Sequence, residues 1–484
     1  MTVRLRVKPC RGNPVFSYHE ASVRLSFSLE IPDVEREPTG ISIDTRTLQP
    51  GDLFVALKGP REDGHVYLQD AFLKGASGAV VAKEVWQTLD RDSARSQGFH
   101  NLLIVSDTTR ALQALAGWWR QQFSIPFVGV TGSVGKTSTK ECLTYLLREV
   151  CGTSCVHSSR GNFNNHLGVP ISLLGLEASH RIAINELGAN HQGEIAALCS
   201  VVQPTAGILT MVAPVHLEGF GSLEGIYQAK TELLRALPSG APAVIPDDDA
   251  RLESLAAALP VRVVRVGTSS RAQYRLSGIR EEEGWIHFRI QDHFSFSFPG
   301  IAPFLARNAG MAVAMAVELG YSLEKLPKRW EGLRLPEGRF SLRTVIPGIT
   351  AIYDGYNASP ESFDKALEAF SSYAGTRRKI LVFADMLELG SKAEFFHREL
   401  GKKIAAQGIS AALAYGDGTA YSIKEIRKLA PAVEARHFAS AEDLAGYLAA
   451  FASSGDCLLF KGSRGMHTEK VLEALQSLMA SASS

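Results

Sequence analysis

The sequence predicts an α/β protein of three domains: an N-terminal α/β domain, a central domain on a mainly parallel sheet, and a C-terminal doubly wound domain. Three observations predict it. Residues 128–139 read VGVTGSVGKTST, a β-branched run that breaks into a glycine-rich turn and then a helix. Short apolar runs alternate with helical stretches on both sides of that loop, the pattern of a parallel sheet covered by helices. Charged and amide residues gather where those runs end, the edge at which open α/β sheets bind ligands.

Taken in order, residues 1–122 carry few early helices and several short strand-like runs, then an amphipathic helix over 111–122 (ALQALAGWWRQQ). Pro126 precedes the next strand and places a boundary near 123. Strands are predicted at 127–130, 181–185 and 206–212. The segment 261–298, with WIHFRI and HFSFSF, alternates with period two and predicts a small added antiparallel sheet. Leu335-Pro336-Glu337-Gly338 marks a second boundary near 335. Beyond it, strand-like runs at 349–353, 379–384, 411–415 and 457–460 predict a smaller, Rossmann-like doubly wound domain. The domains are therefore 1–122, 123–335 and 336–484. The tail 480–484 is expected to fray.

Composition narrows the function classes. A chain of 484 residues accommodates two to four domains, and 45% hydrophobic with 21% charged residues is ordinary for a globular protein. The net charge of +1 gives no electrostatic attraction to nucleic acid or to an anionic membrane surface. Cys10, Cys142, Cys151, Cys155, Cys199 and Cys457 form no CxxC pair, and reduced, mostly buried thiols are expected rather than zinc ligands or disulfides. The N-terminus has Arg and Lys but no apolar stretch of signal-peptide length. The most apolar helical run, 309–317, is too short to span a bilayer. A cytoplasmic protein is expected, and nothing demands an oligomer, so a monomer is expected too.

The glycine-rich turn has the shape of a phosphate-binding loop. Successive backbone N–H groups from Gly132, Ser133, Val134 and Gly135 to Lys136 and Thr137, with Ser138 following, would cradle nucleotide phosphates. Lys136 would reach the β/γ-phosphates and the Thr137 hydroxyl would hold Mg²⁺. Val130 stands where the common spacing has glycine. The other strand ends carry Glu186 with Asn190 and His191, then His216, Asp354 with Asn357, Asp385 with Glu388, and Lys461 with Arg464. Each has two readings. Glu186 caps a helix or holds Mg²⁺. His216 is a hydrogen-bonded loop histidine, or it binds a second divalent ion or orients a phosphate. Asp354 is a turn aspartate or meets a ribose hydroxyl. Lys461 and Arg464 are a solvated pair or contact an anionic substrate group. Lys230, in the helical stretch 227–237, reads as surface.

Together these motifs resemble the Mur ligases, ATP-dependent amide-forming enzymes of peptidoglycan precursor synthesis, over nearly the whole chain. Ser42-Ile43-Asp44-Thr45-Arg46, the run 51–59 (GDLFVALKG) and Asp63-Gly64-His65 look like the UDP-binding domain of the later-acting members. The resemblance implies substrate contacts at Ser42, Asp44, Thr45, Arg46, Asp63 and His65. Residues 131–137 are similar to the family's own phosphate loop, which accounts for Val130. The runs 162–170 (with Asn164 and Asn165), 186–195, 216–221, 354–358 and 385–390 resemble the members that join D-alanyl-D-alanine to UDP-MurNAc-tripeptide. The sister ligase, which adds a single third residue to UDP-MurNAc-dipeptide, is the alternative. It carries Asn-Pro-Arg where this chain has Asp385-Met386-Leu387-Glu388.

By the same resemblance, Lys230 matches a lysine that members carbamylate, whose carbamate supplies oxygens to a second Mg²⁺. Asn308 and Arg339 match positions near adenine and the phosphates, although Leu305-Ala306-Arg307 replaces the family's Gly-Arg-His before Asn308. The implied reaction moves the γ-phosphoryl of ATP to the tripeptide carboxylate, and the amine of D-Ala-D-Ala then displaces phosphate. Lys136, Glu186, His216, Lys230 and two Mg²⁺ ions would carry it, with Thr137, Glu186, His216 and Lys230 as metal ligands. His191 lies near the acyl centre or is structural in its loop. Asn357, Lys461 and Arg464 would complete the site when the third domain closes. The 42–65 signature argues against a folylpolyglutamate synthase. A P-loop switch does not explain the polar strand ends of the third domain, His216 or Lys230, and a simple P-loop kinase leaves residues 336–484 unexplained.

Overall fold

A computed structural model describes residues 16–33, 35–59, 62–346 and 348–483. Cys10, the basic N-terminal residues and Ser484 lie outside the described residues. Among the described residues, twenty strands, numbered in chain order, form three sheets. The first holds β1 (Ser28–Glu30), β2 (Gly40–Ser42), β3 (Asp52–Val55), β4 (Gly78–Ala82) and β5 (Leu102–Val105) in the order β1-β5-β4-β3-β2. Only β1 runs antiparallel. β3 and β5 are buried along their whole length, as the continuous apolar runs of a covered parallel sheet require.

The second sheet has nine strands: β6 (Phe127–Thr131), β7 (Val156–Ser158), β8 (Ile182–Glu186), β9 (Ala206–Leu209), β10 (Pro242–Pro246), β11 (Arg262–Gly267), β12 (Tyr274–Glu282), β13 (Trp285–Ile290) and β14 (Phe294–Pro299). Their order is β14-β13-β12-β11-β10-β9-β6-β8-β7. The expectation of a separate added sheet over 261–298 is corrected here. β11 pairs parallel with β10 and with the start of β12, so the antiparallel β12–β14 meander extends the central sheet. Period-two alternation reports half-burial of each strand and not the identity of its neighbour. The strand predicted over 206–212 ends at Leu209; Thr210 N–H still bonds Thr131 O at 2.9 Å, and its hydroxyl donates to the Val134 carbonyl at 2.6 Å.

The third sheet holds β15 (Ser341–Ile346), β16 (Ile349–Asp354), β17 (Lys379–Ala384), β18 (Ala411–Tyr415), β19 (Glu434–Phe438) and β20 (Cys457–Lys461), ordered β15-β16-β20-β17-β18-β19. Only β15 is antiparallel. The helix Thr468–Ser483 continues through the tail expected to fray, and its Val471, Leu472 and Leu475 are buried against this sheet.

The run 309–317 falls in the helix Leu305–Glu318, which packs against the helix Lys136–Cys151 beside the central sheet. That explains its apolar character: it is covered on all sides, with Ala309 to Ala316 buried. Among the described residues no helix is long and apolar enough to cross a membrane. The five described cysteines are free thiols, three of them buried.

Arg120 ties the helix Thr108–Gln121 to the central sheet. Its guanidinium donates to the carbonyls of Val202 (2.7 Å), Phe123 (3.0 Å) and Gln203 (3.0 Å) and lies 3.6 Å from the Phe127 ring centroid. Arg120→Ala strands three carbonyls in a buried setting and should lower stability by about 2–4 kcal/mol, read by urea unfolding. Arg120→Lys should recover little, since an ammonium cannot fork to three acceptors and stack.

Candidate active site

β6 is buried throughout and delivers Thr131 to the loop. Val130 pairs with Glu186 on one side and Ile208 on the other, so it is a core strand residue and the loop proper starts at Gly132. Gly132 (φ 140°) lies against Thr210, and Gly135 (φ 92°) lies against Asn308, whose Oδ1 would be 2.8 Å from an added Cβ. Only glycine fits both the positive φ and the close approach. The exit of β9 holds the loop. Ser133 N–H donates to Met211 O at 2.7 Å, and the Ser133 hydroxyl donates to Ala213 O at 3.0 Å. The helix Lys136–Cys151 then begins directly at the loop's end, with Thr137 and Ser138 buried.

Lys136 Nζ donates to the loop carbonyls of Gly132 (2.7 Å) and Ser133 (3.2 Å). Burial brings its amine down to about 8, with Glu186 opposing that fall and Arg339 adding to it. Glu186 is the last residue of β8 and is 1% exposed. Its Oε1 accepts from Asn164 Nδ2 at 2.9 Å, while Oε2 is buried without a partner. The helix-capping reading of Glu186 finds no support in these contacts.

The reading of Lys230 as surface is corrected: it is 1% exposed. Its helix Leu223–Arg235 turns this residue inward, where Nζ donates to Ala189 O at 3.2 Å and lies 5.1 Å from the Phe220 ring. Burial, then the charge of Lys136, brings its amine down to about 7. His216 sits in the left-handed region (φ 50°), and its Nδ1 hydrogen-bonds the carboxylate of Glu388, in the loop after β17. Burial pushes His216 below the usual imidazole range, against the pull of Glu388, and Lys136 and Lys230 push the same way. Two amines, an imidazole and an unpaired carboxylate oxygen thus act on one another at the carboxyl ends of β6, β8 and β9.

The segment entering the third sheet supplies Arg339. It donates to Thr137 Oγ1 at 2.7 Å and stacks 4.1 Å from the Tyr356 ring, while its Nε is buried without a partner. The reading of Lys461 as a solvated cation is corrected, because its side chain is buried. Asp354 and Lys461 pair with each other at 2.6 Å, Lys461 being 1% exposed, and Asp354 also accepts from Phe340 N–H. Burial raises Asp354, with Lys461 opposing. Asn357 and Arg464 remain exposed at the same edge.

Other expected residues are engaged mainly within their own turns. His191 is 65% exposed and pairs with Glu194 in its own turn. Asn165 Oδ1 caps the N–H groups of Leu167 and Gly168. On the first sheet, Ser42 closes the buried strand β2 and donates its hydroxyl to Asp44 O, and Arg46 grips Asp44 in a forked ion pair that holds the carboxyl below its usual range. Thr45 O accepts from Lys74. His65 has both nitrogens engaged, Nδ1 with Asp63 and Nε2 accepting from Ala82 N–H, so it locks its turn to β4. Sequence reasoning gave no role to three groups at the central site. Glu388 is one. Ser159 accepts Glu186 N–H at 3.0 Å, and Lys365 Nζ reaches Met211 Sδ at 3.2 Å from the third domain's helix Pro360–Ala374. The charged run after β17 flagged Glu388. Nothing local flagged the other two.

Residues 130–316 match the Mur ligase middle domain, and residues 338–464 match the glutamate ligase domain of Mur ligases. The chain is 34% identical to the UDP-N-acetylmuramoyl-tripeptide--D-alanyl-D-alanine ligase of Bacillus subtilis (strain 168), covering 90% of this chain and 93% of that protein. It is 33% identical to the ligase of the same name from Escherichia coli (strain K12), covering 94% and 98%. Among solved structures it resembles MurF from Acinetobacter baumannii (TM-score 0.83, 27% identity, 96% and 99% covered) and MurF ligase from Thermotoga maritima in complex with ADP (TM-score 0.77, 28% identity, 92% and 98% covered).

Gly135→Ala puts a Cβ against Asn308 and strains a positive φ, so the loop must open. The wild-type chain should gain thermal stability on addition of ADP, and the variant should lose that gain while its ligand-free melting changes less.

Proposed function

This chain belongs to the Mur ligase family, and from that membership we infer that it joins D-alanyl-D-alanine to UDP-N-acetylmuramoyl-tripeptide with ATP, yielding UDP-MurNAc-pentapeptide, ADP and phosphate. The observation that carries this reading is the match over nine-tenths of the chain to relatives that bear the name of this reaction. Asp385-Met386-Leu387-Glu388 in place of Asn-Pro-Arg speaks against the sister reaction on UDP-MurNAc-dipeptide.

A carboxylate acylates poorly because oxide is a poor leaving group. Transfer of the γ-phosphoryl group of ATP to the terminal carboxylate of the tripeptide gives an acyl phosphate, and the amine of the dipeptide then displaces phosphate. Positioning and charge neutralisation supply most of the acceleration. The loop N–H groups from Gly132 to Ser138 hold the phosphates. Lys136 moves from its own loop carbonyls to the β/γ-phosphates, and Arg339, with an unpartnered donor already aimed inward, contacts them from the third domain. Asn308 lies at the adenine side, and Asn164 fixes the Glu186 carboxylate. Asn357 and Arg464 meet substrate when the third domain closes, Asp354 and Lys461 hold that domain's strand ends together, and His191 borders the acyl centre. Ser42, Asp44, Thr45 and Arg46 with Asp63 and His65 shape the UDP site.

Among the described residues no three His, Cys, Asp or Glu side chains form a ready metal cage. Magnesium does not need one, since it binds through one or two carboxylates plus phosphates and water. The buried, unpartnered Glu186 Oε2 fits such an ion. Thr137 and Glu186 would hold one Mg²⁺, and His216 and Lys230 a second. Bound there, Mg²⁺ neutralises charge on the phosphates. Lys230 has a protein-side argument for carbamylation: an amine brought to about 7 is half unprotonated near neutral pH, the form that adds to carbon dioxide with loss of one proton.

Phosphate release should require both UDP-MurNAc-tripeptide and D-Ala-D-Ala, with a pentapeptide product by mass. Equal turnover with single amino acids would transfer the assignment to the sister reaction. Lys136→Ala should cut release by at least about a hundredfold. Intact-mass spectra of Lys230→Ala should lack an adduct of one carbon dioxide present on the native chain, and small carboxylates should partly restore its activity.

A further inference from the structure

The loop after β17 reaches across to the central sheet at two points. The Glu388 carboxylate bonds His216 Nδ1, and the Glu388 carbonyl accepts from Glu218 N–H at 3.4 Å. Glu388 itself sits in the left-handed region (φ 64°), a conformation that nonglycine residues hold only under tertiary constraint. That constraint is visible. Met386 N–H donates to His397 Nε2 at 3.1 Å, Leu387 N–H donates to Ser463 Oγ at 2.9 Å, and Asp385 Oδ1 accepts from Thr419 N–H at 2.8 Å. His397 is buried and donates its Nδ1 proton to Ala393 O. A buried network of the third domain therefore aims one half-exposed carboxylate at one histidine of the central site.

A carboxylate only accepts, so Nδ1 is the donor and Nε2 is left as the lone-pair nitrogen of His216. Metal-binding histidines characteristically give their second N–H to a carboxylate, which fixes tautomer and ring orientation and raises ligand basicity. We propose that Glu388 is a positioning residue that completes a carboxylate–histidine–metal relay across the domain boundary, so that the divalent ion binds tightly only when the third domain is docked. The proposal rests on the assignment of His216 as a metal ligand. It makes domain docking and ion binding two faces of one coupling free energy, each favouring the other by the same factor.

The test is a double-mutant cycle on the full chain, with Mn²⁺ as the probe and free Mn²⁺ read by electron paramagnetic resonance in the presence of a non-hydrolysable ATP analogue. Glu388→Ala should weaken Mn²⁺ binding about 10- to 100-fold. The isosteric Glu388→Gln keeps an acceptor oxygen for Nδ1–H and should recover part of the loss. The double variant with His216→Ala should bind no more weakly than His216→Ala alone. Wild-type Mn²⁺ affinity in both Glu388 variants, with His216→Ala impaired, overturns the proposal and leaves His216 as a ligand. Wild-type affinity in His216→Ala as well overturns both. Losses that add overturn the relay, because Glu388 then acts without His216.

Discussion

A carboxylate oxygen sealed from water with no donor costs several kilocalories per mole unless something supplies positive charge. Glu186 Oε2 is in that position, and much of the surrounding structure follows from it. Its partner oxygen is pinned by Asn164, its backbone by Ser159, and its strand by β6, which carries the phosphate loop alongside. Lys136 lies close enough to feel its charge, and Arg339 and Lys230 act in turn on Lys136, yet the two lysines bond carbonyls and Arg339 keeps an unsatisfied Nε. A folded chain tolerates so many imperfectly matched charges only where a ligand completes them. Under the proposed function, phosphates facing the cations and an ion facing Glu186 would supply the missing partners on both sides.

The third domain takes part in that completion rather than decorating it. Arg339 reaches the hydroxyl of Thr137, and Glu388 reaches His216. Lys365 adds a third approach, over Met211 and hence over the carbonyl that anchors Ser133. An acyl phosphate must be shielded from water until the amine arrives, and bridges of this kind let closure and substrate binding depend on each other.

The sequence revealed features carried by neighbouring residues. The glycine loop, its flanking strand and helix, and the polar strand ends all lie within a few residues of one another, so pattern and spacing expose them. It concealed what depends on distant partners. Lys230 looks like any helical lysine until its helix is docked with that face inward. Asp354 and Lys461, 107 positions apart, each resemble a ligand-binding residue, and only their adjacency on β16 and β20 shows that they neutralise each other. His65 likewise loses its free nitrogens to contacts made in the fold. The meander after β11 was visible as strands, but which strand received it was not.

The central claim is that the tripeptide carboxylate is phosphorylated before the amide forms, and isotope transfer tests it most directly. UDP-MurNAc-tripeptide labelled with ¹⁸O in its terminal carboxylate is turned over with ATP and D-Ala-D-Ala, and the released phosphate is analysed by mass. Attack on an acyl phosphate carries one carboxylate oxygen into phosphate, so each phosphate should hold one ¹⁸O. Unlabelled phosphate accompanying pentapeptide would contradict the account.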